Sequence, residues 1–168
     1  AAVLAYESWA QIVNVEDFES AGIQFAPTPR SDTVWNRTQS ERFPAPAGES
    51  HNASGMVVLR PGQKIFEAIT QQAYVLPKSG QSVYLEINYK STMPFNIGVV
   101  ANENGTSTQQ TTVTFRDKRV WSKAYVNLVT EVSGFPGAVN YNVFLGAVRT
   151  DREVADTLWI DNLKLVYR

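Results

Sequence analysis

Ser82-Val83-Tyr84-Leu85-Glu86-Ile87-Asn88-Tyr89-Lys90 decides the fold class, because its apolar residues fall on every second position. Val83, Leu85, Ile87 and Tyr89 share one parity; Tyr84, Glu86, Asn88 and Lys90 share the other. A period of two marks a strand with one face on a core and the other in water. The pattern continues downstream. Phe95–Ala101 sets Phe95, Ile97 and Val99 on one face, and Asn104-Gly105 suits the positive φ angles of a tight hairpin. The β-branched run Thr111–Phe115 reads as the returning strand. Trp121–Thr130 alternates Trp121, Lys123, Tyr125 and Asn127 with Ser122, Ala124, Val126 and Leu128. After a turn at Ser133–Gly137, Tyr141–Val148 places Tyr141, Val143, Leu145 and Ala147 on one side. Thr157–Tyr167 changes phase midway, between Leu158/Ile160 and Leu163/Leu165, so a bulge is expected near Asp161-Asn162.

Upstream, Ile12–Phe18, Met56–Arg60, Lys64–Ile69 and Ala73–Leu76 bring the total to about nine or ten strands. Arg60-Pro61-Gly62-Gln63 and Pro77-Lys78-Ser79-Gly80 are turns between them. Asp32–Ser54 is a long polar stretch without alternation, expected to cross one end of the fold as a loop. Helical periodicity is confined to Ala1–Ala10. Short strands without crossover helices imply an all-β protein, an antiparallel two-sheet sandwich. Jelly roll is preferred to an immunoglobulin-like sandwich, which is typically about 100 residues long and carries a Cys–Trp–Cys framework that this chain lacks. The expected division is an N-terminal segment over 1–12 and one domain over 13–168.

The 168 residues suffice to bury a core without a disulfide. The chain has no Cys and a single His, His51, which excludes thiol chemistry, Fe–S clusters and a zinc site of Cys and His. Fifteen Lys+Arg against sixteen Asp+Glu leave no electrostatic footprint for nucleic acid. No window has the length of apolar sequence that a membrane helix needs. The Arg116–Arg119 charge run reads as a solvated turn, and the sequons at Asn36, Asn52 and Asn104 are at the level of chance.

Residues for catalysis are sparse. His51 lies in a polar loop, and no Gly-x-Ser-x-Gly elbow is present. The only dense acidic cluster is Glu16-Asp17-Phe18-Glu19, where a turn or an ion site is as good a reading as a catalytic pair. The expectation is a non-enzyme. The aromatic residues point elsewhere. A sugar offers a face of C–H groups edged by hydroxyls, which a flat ring and nearby amide or charged groups match. Tyr84, Glu86 and Asn88, with Lys90, have that mixture on one strand face. Trp121, Tyr125 and Asn127, with Lys123, would continue it, Asn142 was placed on the same sheet, and Trp35 would cap one end. The bland alternative for such rings is packing, which is the reading for Trp159 between Leu158 and Ile160 and for Trp9.

Ala155-Asp156-Thr157-Leu158-Trp159-Ile160-Asp161-Asn162-Leu163-Lys164-Leu165 resembles the closing strand of jelly-roll carbohydrate-binding modules and related galactose-binding-like domains of Bacteroidetes-type exported proteins. Val15-Glu16-Asp17-Phe18-Glu19-Ser20 is similar to their opening strand. The likeness runs from about Val13 to Arg168. It implies an exported or cell-surface module that binds a glycan or polysaccharide without catalysis, with an attached catalytic or anchoring domain as a possible companion. A structural or adhesive module binding a protein or a neighbouring domain is the alternative, and a glycoside hydrolase a more distant one. The resemblance also implies a structural calcium held by Asp17, Glu19 and Asp161; a plain bulge is the competing account of Asp161-Asn162. Calcium takes six to eight oxygen ligands, and carboxylates with backbone carbonyls supply them.

Overall fold

The computed structural model describes residues 11–48, 51–78, 81–150 and 153–167. The expected helical stretch over 1–10, Trp9 and the Ser79-Gly80 half of a turn lie outside them. Eleven strands are described: β1 Gln11–Glu16, β2 Phe25–Pro27, β3 Asn36–Thr38, β4 Ser54–Leu59, β5 Ile65–Thr70, β6 Val83–Ser91, β7 Phe95–Glu103, β8 Thr106–Phe115, β9 Lys118–Asn127, β10 Asn140–Val148 and β11 Asp156–Tyr167. One short helix, α1 Val129–Gly134, follows β9. All pairings are antiparallel and fall into two sheets. The first runs β3-β4-β11-β6-β9, with β1 also on β11; the second runs β2-β5-β10-β7-β8. The chain is a jelly-roll sandwich.

The alternation seen in the sequence sets the packing. Val83, Leu85, Ile87 and Tyr89 of β6 are buried between the sheets, as are Phe95, Ile97 and Val99 of β7 and Tyr141, Val143, Leu145 and Ala147 of β10. The hairpin between β7 and β8 turns at Asn104 (φ 48°) and Gly105 (φ 76°), both in the left-handed region that a two-residue turn of this kind requires. The phase change in β11 is a bulge. Residues 156–160 pair with β4, residues 163–167 pair with β1, and the register on β6 shifts between Asp161 and Lys164. Asn162 at the bulge has φ 48°.

The differences from expectation are local. β2 and β3 have three residues each, too few for a period to show, and β3 lies inside the stretch expected to be loop. Ala73–Leu76 forms no strand; only Tyr74 bridges to Tyr141. β9 ends at Asn127, whose side-chain oxygen accepts the Val129 N–H at 2.9 Å and diverts the chain into α1. Thr130 is therefore helical. Trp35 is not a surface cap. It is 6% exposed and packs against Phe18, Phe25 and Phe66, with ring centroids 5.6, 6.0 and 5.1 Å away. A large ring gains most by leaving water, and these three rings provide the place. The Phe18 ring in turn lies over Gly55, where a Cβ would come within 2.3 Å of it.

Candidate functional site

The residues of β6 that point away from the core lie on the outer face of the first sheet, and strand register arranges that face in rows. One row runs Ile12, Val166, Tyr84, Asn127; the next Asn14, Lys164, Glu86, Tyr125. Beyond the bulge come Asp161, Asn88, Lys123 and then Met56, Trp159, Lys90, with Trp121 following on β9. Alternation in β6, β9 and β11 thus brings together most of the residues expected to share a surface, plus two more. Lys164 was missed although Leu163 and Leu165 already fixed its parity, and Asn14 was missed because β1 is short. Asn142 is not among them. It belongs to β10 of the opposite sheet, where its amide donates to Thr70 O at 2.9 Å.

The face has two unlike halves. Over the rows of Asp161 and Trp159 passes the chain between β3 and β4, described at 39–48 and 51–53. Glu41 Oε1 meets Lys90 Nζ at 3.0 Å and accepts the Trp121 indole N–H at 2.9 Å. Phe43 packs edge-on against Trp121 and His51, with centroids 5.8 and 6.0 Å apart. His51 Nδ1 accepts from the Asn162 amide at 3.2 Å and stands 3.5 Å from Asp161 Oδ2. Ser54 Oγ ties down Glu41 O at 2.7 Å. Between these anchors Asn88 is 1% exposed, so it is removed from the expected contact surface: the strap closes over its row. Trp121 is half-buried, its polar edge already engaged by Glu41. Trp159, read as packing, is half-buried on this outer face with Lys90 Nζ 5.1 Å above its ring. Nothing in a polar loop sequence shows that Glu41 and Phe43 would fold back here.

The other half is open. Tyr125 is 62% exposed, and its hydroxyl donates to Glu86 Oε1 at 3.3 Å. Lys123 Nζ lies 2.9 Å from the same oxygen. This fork fixes Glu86, whose side chain is 12% exposed, beside Tyr125, with Lys164 next to it on β11. Asn127 is exposed, with its side-chain oxygen already accepting from Val129. The open half therefore offers two phenol rings, a positioned carboxylate, two lysines and amide groups. It is chemically suited to hydroxyl-rich ligands.

The residues expected to hold calcium lie at the other end of β1. Glu19 accepts from Asn52 N (2.9 Å), Asn52 Nδ2 (3.2 Å) and Ala53 N (3.2 Å). Asp17 accepts from the Asn14 amide and Glu19 N, both at 3.0 Å. The Phe18 and Glu19 carbonyls accept from Arg37 at 2.5 and 3.2 Å. Arg37 is thus a cation already seated on the backbone oxygens a metal would want. Among the described residues no three His, Asp or Glu side chains gather closely enough to hold a metal ion. Asp161 Oδ2 alone is buried without a hydrogen bond. As arranged, Asp17 and Glu19 have their oxygens engaged by protein donors. The expected result is superimposable melting curves in EDTA and in millimolar calcium; a rise with calcium would show that the native state binds it.

No protein-family model and no curated protein sequence matches the chain. Solved structures do. The chain superimposes on the family 11 carbohydrate-binding module of a Clostridium thermocellum cellulosomal cellulase with TM-score 0.58 and 9% identity, covering 92% of this chain and 94% of that one. It superimposes on a family 29 carbohydrate-binding module complexed with mannohexaose with TM-score 0.54 and 9% identity, covering 94% and 92%. It also matches the enzymatically active domain of bacteriophage CBA120 tailspike protein 4 with TM-score 0.68 and 10% identity, but there 93% of this chain spans only 22% of the tailspike chain. The jelly-roll sandwich is the architecture this chain shares with them. At such identities the likeness speaks for the architecture, and the chain's own surface must speak for the ligand. Among the described residues no helix is long and apolar enough to cross a membrane.

Proposed function

We propose that this domain is a non-catalytic carbohydrate-binding module of exported or cell-surface proteins, and that it holds a glycan on the open half of the first sheet. The observation that carries the reading is the pair Tyr84 and Tyr125 on adjacent strands, flanking a Glu86 pinned by Lys123. The ring faces cover sugar C–H groups, while Glu86, Lys164 and the Asn127 amide replace water at the hydroxyls. Glu41 and Glu86 are each ion-paired to a lysine and Asp161 is buried beneath the strap, which supports binding over acid–base hydrolysis. Whole-chain superposition on two carbohydrate-binding modules supports it further. Affinity is modest, since a shallow polar site gains little beyond the cost of desolvation and ordering.

Native gels cast with a panel of soluble polysaccharides test the reading. Retardation by at least one is expected, and Tyr125→Ala should weaken it about tenfold, equivalent to ~1.4 kcal/mol. Tyr84→Ala should act in the same direction, while Asn142→Ala on the opposite sheet should leave migration unchanged. No retardation by any glycan, or retardation indifferent to both tyrosines, would overturn the assignment.

A further inference from the structure

Besides the edge of β1, the two sheets have four free edges among the described residues, and three of these are blunted against pairing. β2 and β3 are three residues long, and β2 ends in Pro27. β9 carries Lys118, Arg119 and Lys123 along its edge. β8 has none of these protections. Its sequence, Thr106-Ser107-Thr108-Gln109-Gln110-Thr111-Thr112-Val113-Thr114-Phe115, contains no charge, proline or glycine and consists mainly of strand-favouring residues. An edge strand presents alternate backbone N–H and C=O groups to whatever extended chain comes alongside. The regular part of β8 is Thr106–Thr111, since a bulge interrupts its register on β7 after Thr111. All six of those residues are exposed, on both faces of the strand. Beside them lies a depression of about 280 Å³ lined by Gln110, Thr130, Glu131, Gly134 and Phe135. Glu131 Oε2, on its wall, is buried without a hydrogen-bond partner, as is Thr112 Oγ1.

We propose that the free edge of β8 is a self-association surface that pairs antiparallel with β8 of a second copy of this chain. The segment is self-complementary. A two-fold axis at Thr108 sets Thr108 against its own copy, Ser107 against Gln109 and Thr106 against Gln110. These pairs exchange side-chain hydrogen bonds, with no like charges opposed. The contact is isologous and closes at two copies, because each copy's β8 edge is consumed by the other; it joins two five-stranded sheets into one of ten. A glutamine or threonine side chain of the added strand enters the depression and supplies the donor that Glu131 lacks. The surface lies on the second sheet, so the proposal does not depend on glycan binding.

Sedimentation of the 168-residue chain across micromolar to millimolar concentration tests it. A reversible monomer–dimer equilibrium is expected, weakened at least tenfold by Thr108→Lys, which places two like charges at the axis. Because the chain has no cysteine, Thr108→Cys gives a second readout: mild oxidation should trap a covalent dimer, while Val148→Cys on β10 should not. A chain that stays monomeric throughout, a dimer indifferent to Thr108→Lys, or cross-linking equal at both positions would overturn the proposal.

Discussion

Trp35→Ala should lower the free energy of unfolding by about 3–5 kcal/mol, the range for removing a large ring from a packed core. Urea denaturation with intrinsic fluorescence from the remaining tryptophans measures it. The expectation follows from three aromatic neighbours within 6.0 Å and from the position of Trp35 just before β3, where it plugs the end of the sandwich. Its indole N–H has no hydrogen-bond partner. Trp35→Phe removes that orphaned donor along with one ring, so it should cost less than half as much. Migration in polysaccharide gels should not change for Trp35→Phe. A Trp35→Ala variant of unaltered stability would place the ring in solvent and return it to the list of ligand contacts.

Asp161→Asn should act in the opposite direction. Burial pushes the Asp161 carboxyl up to about 7, opposed by the Asn162 N–H and the His51 charge and reinforced by Glu19 and Asp17. The folded protein therefore holds this proton across a range in which the unfolded chain has released it. Stability from this group is full below the unfolded value of 3.8 and is lost as pH rises toward about 7. One unit corresponds to 1.36 kcal/mol, so the metal-free protein at pH 8 carries a penalty of about 2–4 kcal/mol. Asparagine keeps the oxygen that accepts Asn162 N–H at 2.8 Å and has no charge to desolvate. In EDTA the variant should melt higher than the wild type at pH 8 and close to it at pH 4. A variant that is less stable at pH 8 would show that the carboxylate has a partner, a cation included, that offsets its burial.

How far the sequence could be read follows from the kind of signal each element leaves. β6, β7, β10 and β11 lie at the middle of the sheets, and their alternation over nine or more residues is a strong record of which side faces the core. The same alternation placed Tyr84, Glu86, Tyr125 and Asn127 on one surface. Parity cannot say which strands become neighbours, and so Asn142 was assigned to the wrong sheet. Nor can it say what covers a face. Asn88 has the same parity as Glu86, yet one is sealed and the other open, because residues about 45 positions earlier fold back over it. Trp35 misled for a related reason: polar neighbours in the chain describe local composition, whereas burial depends on Phe18, Phe25 and Phe66, brought in from three other segments. The Glu16–Glu19 cluster shows a third limit. The Glu19 carboxylate accepts from the backbone of Asn52 and Ala53, and Arg37 takes the Phe18 and Glu19 carbonyls, partners with no sequence relation to the cluster.

The position of β11 governs how this chain can be made. It is the last strand to be synthesised, yet it sits at the heart of the first sheet, holding β4 and β1 on one side and β6 on the other. Until it leaves the ribosome, β1 has no partner and β4 and β6 have only β3 and β9, so their apolar faces wait in a chain that cannot complete its sheet. Completion of the first sheet therefore waits for β11, is limited by closure of very long loops, and any fragment ending before Asp156 exposes unpaired strands to aggregation and to chaperones.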